Sequence, residues 1–140
     1  WEAAIFDNIF QSELQHVAAV ETLLTSFGLE YEILDPGKFE NTHLQELYDN
    51  LTAMGTEDLE AALRVGATIE DLDILDLQQF IDATNTEAIQ AVFESLQCGS
   101  RNHLRSFISS LETMDASYTP QFISQELYDS ILDSGYEQCN

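Results

Sequence analysis

The sequence is almost without positive charge. Four Lys and Arg, with Lys38 the single lysine, stand against 26 Asp and Glu in 140 residues, a formal net charge of -22. A field of that sign repels nucleic-acid backbones and anionic lipid and draws in cations, so no nucleic-acid partner is expected. Long hydrophobic runs are missing as well. None approaches the roughly 20 apolar residues that cross a bilayer, and the N-terminus lacks the basic start and apolar stretch of a signal peptide. No membrane span is expected, and the chain reads as soluble. It opens at Trp1 rather than at a methionine, which suggests a processed or trimmed terminus. Glycine-rich phosphate loops and nucleophile elbows are lacking too, which removes the nucleotide-cradling and serine-hydrolase classes.

Cysteine is scarce. Cys98 and Cys139 fit no zinc motif by spacing, which leaves a disulfide or two free thiols. A bridge would tie the C-terminal tail to the last long helix and place the protein in an oxidising compartment, extracellular or periplasmic. Asn50-Leu51-Thr52 forms an N-glycosylation triplet, which matters only in a eukaryotic secretory setting.

What the chain does have is helical periodicity over a length suited to one domain, 1–140. Ile5, Ile9, Val17, Val20, Leu24 and Phe27 recur at helical spacing before Gly28, predicting a long helix over about 2–27. Asp35-Pro36-Gly37 signals a turn, followed by a short helix over 41–54 that ends at Gly55. Thr56-Glu57-Asp58 opens a second long helix, 57–83, with a capping residue and early negative charge. A polar break at 84–87 leads into a third long helix, 87–114, antiparallel to the second. After Tyr118-Thr119-Pro120, a short helix over 124–132 closes an all-α chain.

The inward seams of the long helices carry the chemistry, because three of them are interrupted by polar residues at mid-length. The first seam runs Ile5, Ile9, Glu13, His16, Val20, Leu24 and Phe27. The second runs Leu59, Leu63, Gly66, Glu70, Asp73, Leu77 and Ile81. The third runs Ile89, Val92, Leu96, Ser100, His103, Phe107 and Leu111. Buried carboxylates are costly unless paired, hydrogen-bonded or bound to metal, and Arg64, Arg101 and Arg105 are the only guanidinium candidates. Glu and His at i, i+3 on facing helices present an oxygen and a nitrogen to one ion, as in di-iron and di-manganese bundles. Glu13, His16, Glu70, Asp73 and His103 are therefore the expected metal ligands. The competing reading is a hydrogen-bonded polar layer that fixes helix register. His43 reads as a surface histidine, and Tyr48, Tyr118 and Phe107 as core or capping residues.

Four stretches together resemble a ferritin-like group of bacterial and archaeal proteins, the domain of unknown function 2202 family. They are Ser12-Glu13-x-x-His16, Gly66-Ala67-x-Ile69-Glu70-x-x-Asp73-Ile74-x-Asp76-Leu77, Gly99-Ser100-Arg101-Asn102-His103-Leu104 and Tyr118-x-Pro120-Gln121. The resemblance implies a ferritin-like four-helix core, distantly related to rubrerythrins, with a metal centre at mid-bundle. The first core helix of the wider pattern, with its own metal-binding Glu, would lie before Trp1. Its absence here predicts self-association or a partner helix covering the open groove. Where the wider pattern has Glu-x-x-His on the last helix, this chain has Ser100-x-x-His103, leaving Asp73 to compensate. The expected cofactor is a divalent metal, iron first, with manganese, copper or zinc as alternatives. The expected function is metal binding, as a di-iron-type oxidase or ferroxidase or as a single-metal descendant. The alternative is an acidic extracellular structural or assembly protein that keeps the bundle without catalysis and uses its charge toward calcium or a mineral surface.

Overall fold

A computed structural model describes residues 3–139. Its order is α1 (Ala4–Ser26), α2 (Thr42–Gly55), α3 (Leu59–Ala83), α4 (Glu87–Glu112) and α5 (Gln125–Asp133). No strand occurs among the described residues, so the chain is all-helical. The starts of α2, α3 and α5 are set by side chains that satisfy the first free N–H groups of a helix. Asn41 accepts from the N–H groups of His43 and Leu44, Asp58 from that of Ala61, and Ser124 from that of Leu127. The end of α1 is set by Gly28 at φ 67°, where Leu29 N–H donates to the Leu24 carbonyl and Gly28 N–H to that of Thr25. That pair of bonds closes a helix through a left-handed residue, which glycine adopts without steric cost.

Two antiparallel pairings organise the helices. Along α3 and α4, Gly66 meets Phe107, the Gln97 amide donates to the Ile74 carbonyl, and Phe80 stacks near Phe93. Along α1 and α4, Phe6 meets Phe107, Ser12 meets His103, and His16 meets Gly99. Helix α4 is thus flanked by both of the other long helices, while α2 packs on α3 and α5 on α4. The core is Leu63, Ala67 and Ile74 of α3 with Leu104, Phe107, Ile108 and Leu111 of α4, closed by Tyr118, Tyr128 and Ile131. From α1, Ile5, Phe6 and Ile9 pack against it. A Cβ at Gly66 would collide with the Phe107 ring, so this glycine lets the two helices approach at the aromatic layer. Outside that core α1 keeps an apolar face in solvent, with Phe10 59 %, Leu14 47 % and Val17 47 % exposed.

Two polar anchors fix the segments after α4. Asp71, wholly buried, accepts from the Tyr118 hydroxyl and from the N–H groups of Gln121, Phe122 and Ile123, pinning that connection to α3. The C-terminal tail is clasped to α4 through Glu137, whose carboxylate accepts from Arg101 and Arg105. Asn102 bonds both the N–H and the carbonyl of Glu137. Beside this clasp Cys98 and Cys139 form a disulfide, with Cα atoms 5.6 Å apart across a separation of 41 residues. Closing a loop of that length stabilises the fold by about 4 kcal/mol on chain-entropy grounds.

Candidate metal centre

One mid-length seam residue from each of the three long helices meets the other two. Glu13 comes from α1, Glu70 from α3 and His103 from α4, and each offers a ligand atom lying within 4.8 Å of the others. Each interrupts the apolar seam of its helix, and along α4 the buried Leu96 and Phe107 stand on either side of His103. His103 Nδ1 lies 2.8 Å from Glu13 Oε1 and 3.3 Å from Glu70 Oε1. These are ion-pair distances without hydrogen-bond direction. Glu13 Oε1, Glu70 Oε2 and His103 Nδ1 are all buried atoms and lack a hydrogen-bond partner among the described residues. An imidazole N–H projects in the plane of its ring, so an oxygen close by but out of line gains charge attraction without forming the bond. Orphaned polar atoms of this kind are rare in folded proteins and call for an ion or a water. Two carboxylate oxygens and an imidazole nitrogen form a donor set suited to iron, manganese or zinc, and the residues present therefore fit a divalent cation.

The other predicted ligands stand around this group. His16 Nδ1 pairs with Glu13 Oε2 at 3.0 Å, and its ring packs over Gly99, 5.5 Å from the His103 ring. It is outside the converging three. Asp73 is half-buried and also outside them, near enough for its carboxyl to feel Glu70 and Glu13. Ser100, buried on α4, lies beside Glu70 and favours its charged form. On the far side of the His103 ring, Nε2 lies 2.9 Å from Ser12 Oγ. Among the described residues no guanidinium serves the centre: Arg64 pairs with Glu60, and Arg101 and Arg105 both pair with Glu137. His43 is exposed on α2.

The electrostatics follow from burying two carboxylates against one imidazole. Burial pushes Glu13 up, but its contacts with His103 and His16 outweigh that and hold its carboxyl down to about 2. Glu70, deeper, is raised by burial despite His103. Burial, reinforced by the charges of Glu70, Glu13 and Asp76, lifts Asp73 to about 7. Burial opposes the charge on His103, yet Glu13 and Glu70 prevail and raise it to about 9. The pocket thus favours positive charge at its centre, held on the imidazole or on a cation that displaces its proton.

Several contributors escape a sequence reading. Asp71 is masked by its neighbour Glu70, and its four donors lie about fifty residues away. The signal available for it is the Tyr118-x-Pro120-Gln121 stretch, which places a buried hydroxyl next to a turn. Ser12 and Gly99 stand in the stretches that carry the family resemblance, but their contacts with His103 and His16 are fixed only when α1 docks on α4.

The chain as a whole has similar proteins. The chain is 44% identical over 144 residues to the uncharacterized protein MJ0754 of Methanocaldococcus jannaschii, an alignment covering 99% of this chain and 76% of that protein. It matches the crystal structure of the hypothetical protein MJ0754 from Methanococcus jannaschii with a TM-score of 0.95 at 43% identity, over 98% of this chain and 79% of that one. The family described as uncharacterized protein domain DUF2202 matches residues 1–135. By a match that runs through all three helices of the centre, the chain belongs to the DUF2202 family.

Proposed function

We propose that this chain is a metal-binding protein of ferritin-like architecture, holding one divalent cation, iron first, among Glu13, Glu70 and His103. One observation carries the reading: Glu13, Glu70 and His103, from three helices, each offer a ligand atom within 4.8 Å of the others, and each has a buried polar atom with no hydrogen-bond partner among the described residues. A polar layer whose task was helix register would satisfy those atoms internally, as Asp71 is satisfied by four donors in the same molecule. The same contrast weighs against an acidic assembly protein without a bound ion. The inward Glu and His on α1, α3 and α4 support the ferritin-like reading.

Iron held there would supply one-electron chemistry toward dioxygen or peroxide. The chain's own residues set the conditions for it. Glu70 is buried and Glu13 half-buried, and together they provide negative charge where a cation would lose part of its hydration. His16 holds the second oxygen of Glu13, leaving the first free to turn inward. Ser100, standing where a further carboxylate is expected from the resemblance, limits the group to three strong ligands, enough for one ion. The disulfide supports an oxidising, extracellular or periplasmic setting.

Chelator-stripped protein titrated with Fe(II), Mn(II) or Zn(II) in 150 mM salt tests the reading. The salt suppresses loose binding to the acidic surface. Elemental analysis after gel filtration is expected to give one ion per chain in the parent and none in Glu70→Gln or His103→Ala. Equal retention by parent and variants would overturn the site.

A further inference from the structure

We propose that Ser12 is a positioning residue for the centre: its hydroxyl holds Nε2 of His103, so that Nδ1 faces Glu13 and Glu70 as a ligand. This rests on the cation site proposed above. Helix α1 carries Ser12 and Glu13 in succession, and both meet His103 of α4 from opposite edges of its ring. Ser12 Oγ is 2.9 Å from Nε2, and Glu13 Oε1 is 2.8 Å from Nδ1. The ring is therefore gripped at both nitrogens by neighbouring residues of one helix.

A neutral imidazole has one N–H and one lone pair, and which nitrogen carries the proton is set by the partner of the other. With a cation at Nδ1 the proton must sit on Nε2, and a partner there that can accept it fixes both tautomer and ring orientation. Ser12 is the residue at that distance, and its hydroxyl can accept while rotating its own proton elsewhere. The tie also bears on geometry. His103 is almost fully buried, but with Ser12 and His16 it lines a cavity of about 730 Å³ between α1 and α4. Without Ser12 the Nε2 edge would lean on water in that cavity, and the ring could rotate away from the two carboxylates.

The test compares the parent with Ser12→Ala, Ser12→Thr and Ser12→Val in metal-stripped protein, each titrated with Mn(II). Val has the shape of Thr without the hydroxyl, so the Thr and Val pair separates chemistry from packing. Loss of an outer partner of a metal-bound histidine costs about 10- to 100-fold in affinity. Ala and Val are expected to weaken Mn(II) binding by that factor and Thr to restore it to within a few fold, with circular dichroism and the metal-free melting temperature unchanged throughout. Copper-loaded protein adds a spectroscopic readout: imidazole nitrogen hyperfine structure present in parent and Thr should be weakened or altered in Ala and Val. Parent-level affinity in Ala and Val, or equal losses in Thr and Val, would overturn the role of the hydroxyl while leaving the cation site standing. No binding by the parent would instead overturn the site itself, and the inference with it.

Discussion

Asp71 offers the sharpest mechanical test of how this bundle is held together, through the change Asp71→Asn. Its Oδ2 accepts from the Tyr118 hydroxyl at 2.8 Å, Gln121 N–H at 2.6 Å and Phe122 N–H at 3.1 Å, and its Oδ1 accepts from Ile123 N–H at 2.9 Å. The asparagine keeps the shape but has a single acceptor oxygen. In its best orientation that oxygen serves the three donors at Oδ2, and the amide nitrogen faces the Ile123 N–H, donor against donor. Three charge-assisted bonds become neutral ones, at about 0.5–1 kcal/mol each, and one buried N–H is left unmatched, at about 1–3 kcal/mol. Relief from burying a charge offsets part of this, leaving a net loss of about 3 kcal/mol. At this chain length that lowers the melting temperature by about 10 °C. Urea unfolding followed by circular dichroism is the assay, and the midpoint is expected to fall with the slope unchanged. A loss under about 0.5 kcal/mol would refute the claim that Asp71 anchors the connection after α4.

Two further outcomes follow from the tail clasp and from the packing of His16. Contacts with Arg101, opposed by modest burial and joined by Arg105, hold Glu137 down to about 2. Its folded value is depressed, so its stabilisation is present above the unfolded value near 4.5 and is lost as pH falls from about 4.5 to about 2. The carboxylate is partly exposed, and screening limits the effect to about 1–2 kcal/mol. The stability gap between parent and Glu137→Gln in urea should therefore close through that window, and a gap constant across it would contradict the clasp. At Gly99 an added Cβ would lie 2.5 Å from His16 Nε2 and 2.6 Å from Cε1. Gly99→Ala should cost about 1–3 kcal/mol by overpacking and recover most of it when combined with His16→Ala. Additive losses in that double-mutant cycle would show that the two residues do not share the space.

The helices were legible because their signals are local. Of the predicted range 2–27, residue 2 lies outside the described residues and the rest overlaps Ala4–Ser26, while 124–132 overlaps Gln125–Asp133, since seam spacing and end residues such as Gly28 act within a turn or two. The third long helix stops at Glu112 rather than at 114, where Asp115 takes a positive φ and turns the chain. Glu13, Glu70 and His103 stood out because a charged or polar residue in an apolar seam is conspicuous. His16 and Asp73 stood out for the same reason and yet lie beside the converging atoms. A seam is about 100° wide, and where in that arc a side chain points is decided by packing. For His16 the deciding contact is the backbone of Gly99. The arginines were read as candidate partners for the buried carboxylates, but all three face acidic residues near the surface. Glu137 lies more than thirty residues from Arg101 and Arg105, and only the folded tail brings it to them.

The most direct measurement of the central claim is an anomalous-difference map from crystals of metal-stripped protein soaked with Mn(II). The account predicts one strong peak per chain, bounded by Glu13, Glu70 and His103, and its loss in Glu70→Gln. Peaks confined to the acidic surface, with none among those three residues, would contradict it.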